Sequence, residues 1–179
     1  MYLISLKFDK DSTEKLNNYI KAIQEKTKND YMTNRNIPVH LTIATIHDRD
    51  ENMMIDKLNE IIENLNEGYI DVVSIGIFSK NTIYLSPVLN KYLFDMSFQI
   101  NEVIDTLDKN RKHNRYRPYQ WFPHITIARK LNEKELNIAF NSLNHIFQPL
   151  QMKITHITLS KSQPYQDIYV WKLKGEKNI

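Results

Sequence analysis

Apolar residues alternate with others from Tyr2 to Phe8 in a β-rich run, which predicts a strand. Asp11 and Glu14 have capping-box spacing. Leu16, Tyr19, Ile20 and Ile23 then recur at helical spacing, which predicts a helix to about Lys26. A polar stretch from Asn29 to Asn36 reads as a loop, and Pro38 to Ile46 as a second strand. Met54, Leu58, Ile61, Ile62 and Leu65 mark a second amphipathic helix, with Gly68 placed to end it. Strands follow over 69–78 and 82–86, joined by a short turn at Ser79 to Asn81. Leu93, Met96, Ile100, Val103, Ile104 and Leu107 mark a third helix. Arg111 to Gln120 is a basic, aromatic loop, and Phe122 to Lys130 a strand. Asn132 and Glu135 cap a fourth helix carrying Leu136, Phe140 and Leu143. Strands at about 151–159 and 167–174 close the chain.

The pattern repeats. Pro38-Val39-His40-Leu41-Thr42-Ile43-Ala44 resembles Pro123-His124-Ile125-Thr126-Ile127-Ala128, with the histidines 84 positions apart. Each motif is followed by a helix and a strand pair. The pairs share a Ser-Lys step, Ser79-Lys80 and Ser160-Lys161, at an offset of 81. Two matches at nearly constant offset indicate an internal duplication. The expected fold class is α+β: two pseudo-symmetric lobes, each an antiparallel sheet with flanking helices, around a central cleft. Residues 1–179 then form a single bilobal domain with halves of roughly 1–87 and 88–179.

Strand period decides which side chains share a face. His40, Thr42 and Ala44 project to one side and Val39, Leu41 and Ile43 to the other. His124, Thr126 and Ala128 stand likewise against Ile125 and Ile127. The aliphatic side belongs to a core, which leaves His and Thr to line a cleft. Two lobes facing each other bring two imidazoles and two hydroxyls around one point. With a reference pKa of ~6.5, one imidazole can be neutral and its twin protonated, which suits general base and general acid. The threonine hydroxyls can donate to phosphate oxygens. Phosphodiester cleavage fits this equipment and needs no metal. A third H-x-T, His156-Ile157-Thr158, lacks the preceding Pro and the following Ile-Ala and has no twin. It reads as a half-exposed strand residue. His47, His113 and His145 have no partner at ligand spacing, so no metal site is expected.

Composition narrows the chemistry further. The chain of 179 residues has no cysteine, which excludes disulfides, zinc-thiolate sites, iron–sulfur clusters and a cysteine nucleophile. Its three glycines, Gly68, Gly76 and Gly175, form no G-x-G-x-x-G or P-loop, so no cofactor is expected from either phosphate-cradling loop. A net charge of +3 permits an anionic partner without demanding one. The start shows no signal-peptide pattern and no apolar run approaches a bilayer span. A cytoplasmic protein with no membrane partner is expected.

The two H-x-T segments, at this spacing in a chain this long, resemble the two-histidine (2H) phosphoesterase superfamily. The 2′-5′ RNA ligase-like and cyclic phosphodiesterase branches are nearest, and the resemblance covers nearly the whole chain. It implies a bilobal fold and metal-independent work on 2′,3′-cyclic phosphates or related RNA or nucleotide termini. It also implies His40 and His124 as catalytic residues with Thr42 and Thr126 as substrate contacts. The expected partner is a nucleotide or RNA terminus carrying a cyclic phosphate, and the expected state a monomer. Two alternatives stand beside this reading: an RNA- or nucleotide-binding module with little turnover, and 2′-5′ RNA end-joining.

The loop before the second motif interleaves Arg111, Lys112, Arg115 and Arg117 with Tyr116, Tyr119 and Trp121. Cations can hold phosphates and aromatic rings can stack bases. Arg117, Tyr119 and Trp121 are therefore candidate substrate contacts. Arg129 accompanies the motif in relatives, but alternation puts it opposite His124. Lys130 shares the His124 face, and Arg129 needs a bulge or a strand end to reach the groove. Both are candidate contacts.

Overall fold

The computed structural model describes residues 1–47, 50–108 and 115–175. Seven strands and five helices follow the order β1 (Tyr2–Phe8), α1 (Lys10–Thr27), α2 (Tyr31–Asn34), β2 (Leu41–Ile46), α3 (Glu51–Ile62), β3 (Gly68–Phe78), β4 (Thr82–Pro87), α4 (Lys91–Leu107), β5 (Ile125–Ala128), α5 (Glu133–Ile146), β6 (Leu150–Ser162) and β7 (Tyr165–Lys172). The paired strands form one antiparallel sheet in the order β1-β2-β5-β4-β3-β6-β7. A further pairing of β1 with β6 closes six of them into a ring.

The ladder has a two-fold pattern. β1 lies between β2 and β6, and β4 lies between β5 and β3. Exchanging β1 with β4, β2 with β5 and β3 with β6 maps the pairing onto itself. The helices obey the same exchange: α1 packs on α5 and reaches β5, while α4 packs on α3 and reaches β2. β7 is an addition, laid along the second half of β6. The lobes are thus an antiparallel β2-β1-β6-β7 group and an antiparallel β5-β4-β3 group. β6 runs from one into the other, its first residues pairing with β3.

Where the motif strands meet, they touch at one rung, Leu41 opposite Ile125. Beyond it the free edge of β2 would expose a buried carbonyl. Asn101 on α4, itself buried, donates from Nδ2 to the Ile43 carbonyl (3.0 Å) and meets this need. The aliphatic residues of the motifs, Leu41, Ile43, Ile125 and Ile127, are fully buried in one continuous core with Ile100 and Ile104 of α4 and Leu16 of α1.

Several element ends differ from the sequence expectation. Asp9, not Asp11, caps α1, accepting from Ser12 N–H at 2.9 Å. Part of the loop expected over 29–36 winds into the short α2. Gly68 starts β3 rather than ending α3, because the Tyr92 ring lies against it: a Cβ there would stand 2.5 Å from a ring carbon. Asn132 and Glu135 do form the capping box at α5, with reciprocal bonds of 2.8 and 2.9 Å.

Candidate active site

Each motif histidine sits one residue ahead of its strand, held by the same short backbone loop. His40 Nδ1 is 2.7 Å from the Pro38 carbonyl, and His124 Nδ1 is 2.9 Å from the Phe122 carbonyl. A carbonyl can only accept, so Nδ1 carries a hydrogen in both rings and Nε2 is the nitrogen left for chemistry. Both strands therefore begin later than expected, at Leu41 and Ile125, because the residues before them turn to supply these carbonyls.

His40, Thr42, His124 and Thr126 line one cavity of about 530 Å³ between the lobes. The other walls include Leu3, Phe78, Ser79, Tyr116, Arg129 and Tyr165. Thr42 is buried and its hydroxyl is 3.2 Å from Ser5 Oγ, while Thr126 is half-buried. A second hollow of about 340 Å³, lined also by Arg115, Trp121 and Phe122, shares Phe78, Ser79, Tyr116 and His124 with the first.

The two imidazoles have different neighbours. The Tyr165 ring lies 5.7 Å from the His40 ring, centroid to centroid. Its hydroxyl is 2.8 Å from Lys7 Nζ and 2.9 Å from Asp167 Oδ1. Around His124 stand Phe78 (4.9 Å, edge-on), Tyr84 (5.9 Å) and Tyr116 (6.4 Å). Burial pushes the His40 pKa down to about 4. The Pro38 carbonyl and the Asp167 charge oppose this, while Lys7 and His124 add to it. Burial also holds the His124 pKa below the ordinary range, against the pull of the Phe122 carbonyl. The Lys7 ammonium is pushed down to about 8 by burial, with Asp167 opposing.

The remaining candidates separate cleanly. Arg129 lines the cleft, because β5 ends at Ala128 and the chain leaves the strand alternation there. Lys130, expected on the His124 face, takes a left-handed conformation (φ 59°) just past the strand and is not among the cavity walls; its carbonyl accepts from Asn29 Nδ2. Tyr119 is 84% exposed, with its ring 5.2 Å from that of Phe94, and it lines neither hollow. Arg117 pairs with Asp105 at 3.2 Å, outside both hollows. Trp121 is buried and lines only the smaller hollow. Arg111, Lys112 and His113 lie outside the described residues. His156 binds Thr155 Oγ1 through Nδ1 (2.8 Å) and does not line the cleft. Among the described residues no group of three or more His, Asp or Glu is placed to hold a metal ion, and no helix is long and apolar enough to cross a membrane.

Sequence reasoning missed Lys7, Phe78 and Tyr165. Phe78 directly precedes the Ser79-Lys80 step, but that step forms the β3–β4 turn whereas Ser160-Lys161 lies within β6. The expected Ser-Lys repeat is therefore not a structural equivalence; the pairing register matches Ser160 with Phe78 instead. Lys7 lies 158 positions from its partner Tyr165 and carried no signal.

Residues 12–165 match the sequence profile of the 2′-5′ RNA ligase superfamily, and the chain belongs to that family. No curated protein sequence matches it significantly. Among solved structures it is similar to TT0787 of Thermus thermophilus (TM-score 0.64, 13% identity, covering 98% of this chain and 99% of that one). It is also similar to E. coli LigT complexed with 3′-AMP (TM-score 0.58, 13% identity, 96% and 97%). Usb1 of Kluyveromyces marxianus is a third (TM-score 0.51, 10% identity, 97% and 97%). At these identities the likenesses show the shared fold.

Proposed function

We propose that this chain is a cytoplasmic phosphoesterase that opens 2′,3′-cyclic phosphates, or related RNA or nucleotide termini, by paired histidine acid–base catalysis. The observation that carries the reading is the matched clamp: two histidines, each bonded through Nδ1 to a carbonyl two residues upstream, line one cleft with two threonines. The clamp leaves each Nε2 as a proton acceptor when neutral and a donor when charged.

In this reading a phosphate seats between the lobes. One Nε2 takes a proton from water as its oxygen attacks phosphorus. The bond from phosphorus to a ribose oxygen breaks, its electron pair stays on that oxygen, and the other Nε2 supplies the proton that neutralises it. Thr42, Thr126 and Arg129 stabilise the non-bridging oxygens, which gather charge in the transition state. The aromatic wall of Phe78, Tyr116 and Trp121 suits a nucleobase attached to the same phosphate. That LigT is seen with 3′-AMP supports a nucleotide-sized occupant. Both half-sites come from one chain, so residues 1–179 act as one bilobal unit and a monomer suffices.

The test is hydrolysis of nucleoside 2′,3′-cyclic phosphates in excess EDTA. Wild type is expected to turn over, and His40→Ala and His124→Ala each to lose about 10²- to 10⁴-fold, the usual worth of a positioned acid or base. Activity that requires added metal, or that survives both substitutions, overturns the reading. Binding of RNA without turnover on a broad panel of cyclic phosphates would make the chain a binding module instead.

A further inference from the structure

The pairing pattern makes β1 and β4 equivalent, so residues on them can be compared place by place. Ser5 stands opposite Thr42, and Tyr84 stands opposite Thr126. Two residues on, Lys7 on β1 therefore corresponds to Ser86 on β4. Lys7 puts a charge under the first motif where the second has a neutral serine, just as Arg129 puts one at the end of the second motif where the first has Thr45.

Hydrogen-bond chemistry fixes how Lys7 is used. An ammonium only donates and a carboxylate only accepts. The Tyr165 hydroxyl must then accept from Lys7 Nζ (2.8 Å) and spend its own proton on Asp167 Oδ1 (2.9 Å). Ser160 Oγ, fully buried, donates to the same carboxylate oxygen at 2.6 Å. The Tyr165 hydroxyl has no freedom left, and the ring it carries is held against His40. His40 thus has two neighbours that orient it, the Pro38 carbonyl at Nδ1 and the tilted Tyr165 ring with its centroid 5.7 Å away.

We propose that Lys7, Tyr165 and Asp167 form a positioning cluster for His40, with no equivalent cluster at His124 among the described residues, so that His40 accepts the first proton and His124 donates one. This rests on the phosphoesterase reading for its consequence, but not for its geometry. The charged and titratable groups that face His40 are Lys7 on β1, Asp167 and Tyr165 on β7 and, just ahead of β5, His124, with Arg129 lining the same cavity. Lys7 and His124 disfavour a charged imidazole and Asp167 favours one. Burial tips the balance toward the neutral ring, which is the form a base needs. Among the described residues the rings of Phe78, Tyr84 and Tyr116 surround His124, with Arg115 and Arg129 lining the hollows it shares, and burial is the first influence on it.

The experiment is a histidine-resolved NMR titration of the full chain, run beside the pH profile of kcat/KM on a nucleoside 2′,3′-cyclic phosphate. Lys7→Met keeps the length and apolar stem of the side chain and removes its charge, leaving Asp167 to act on His40 alone. The His40 titration is expected to move up by about one pH unit, the size of effect a neighbouring charge exerts, with His124 moving far less. The acidic limb of kcat/KM should follow His40, and Lys7→Arg should restore it. Tyr165→Phe should lower kcat with little change in KM, because the ring remains but its anchor is lost. Lys7→Gln serves in place of Lys7→Met should the latter not fold. A His40 titration that stays put in the folded variant, or that moves together with His124, overturns the inference whether or not the chain has activity. An acidic limb that ignores the His40 shift overturns the assignment of His40 as acceptor. A His40 shift in a protein without turnover upholds the cluster and overturns the phosphoesterase reading alone.

Discussion

Beneath the first motif the sheet presents Ser5, Lys7, Thr158 and Ser160, all small or polar: Ser5 meets Thr42, Thr158 donates to the Ser5 carbonyl, and Lys7 and Ser160 bind the Tyr165–Asp167 pair. The equivalent places beneath the second motif are Tyr84, Ser86, Gly76 and Phe78. There the Tyr84 and Phe78 rings stack at 4.1 Å, with Gly76 under the Tyr84 ring. The motifs themselves are near copies, down to the carbonyl that holds each imidazole. A duplicated backbone thus carries two different floors. One is a polar network that holds charge beside His40, and the other an aromatic stack that presents a flat face beside His124. On the proposed reading the motif supplies the same chemistry twice, and the floor decides what each copy does with it.

The comparison can be broken most strongly at Gly76. Adding a Cβ there would place it 2.2 Å from the Tyr84 ring, so that ring must leave its stack on Phe78. Gly76→Ala is expected to cost about 1–3 kcal/mol, the typical cost of overpacking, and to weaken substrate binding on the His124 side. Thermal unfolding and KM check the two parts. A stable variant with unchanged KM would show that the aromatic floor is not part of the site.

The two threonines come next. Thr42→Val would leave Ser5 Oγ buried without its 3.2 Å partner, a loss of about 1–3 kcal/mol. Thr126 is half-buried and carries no such bond among the described residues, so Thr126→Val should leave stability within about 0.5 kcal/mol. Both should lower kcat about tenfold or more if the hydroxyls meet transition-state charge. Denaturant unfolding with single-turnover kinetics separates the effects.

A smaller effect follows from pH. The His40 pKa lies near 4 in the fold against an unperturbed value of 6.5, so between these values the unfolded chain binds the extra proton. The stability that comes from keeping His40 neutral is therefore complete above about 6.5 and is lost as pH falls toward about 4. His40→Gln should flatten that part of the stability curve, measured by chemical denaturation from pH 7 to 4. His124→Gln should flatten it less, if the polar and aromatic floors differ as described. The smallest effect belongs to the third H-x-T. His156→Ala is expected to change turnover by less than about twofold and stability by less than about 0.5 kcal/mol, as for a residue away from the site. A large loss of turnover there would mean that the duplicated pair does not hold the chemistry.

Much of this was readable along the chain because its signals are local. Strand alternation around His40 and His124 assigned the core face and the cleft face, and the repeat of the motif announced two lobes. The same alternation failed at Arg129 and Lys130. Strand parity holds only while the strand lasts, and β5 stops at Ala128. The loop before the second motif divides for a related reason: Tyr116 and Trp121 line the smaller hollow, whereas Tyr119 and Arg117 do not. Its aromatics have the right chemistry for a base, but Tyr119 packs on Phe94 and Arg117 pairs with Asp105, partners on α4 that no local pattern reveals.

By itself, then, the sequence determined the elements, the doubling and the four side chains of the two motifs, all set by spacings of two to four residues. Only the tertiary structure decided that β1 and β4 are the equivalent strands, that Phe78 and Tyr165 flank the two histidines, and that Lys7 reaches one of them alone. Those facts depend on pairings between residues far apart in the chain. Burial and charge at a site come from what long-range pairing brings against it, not from the residues beside it in sequence.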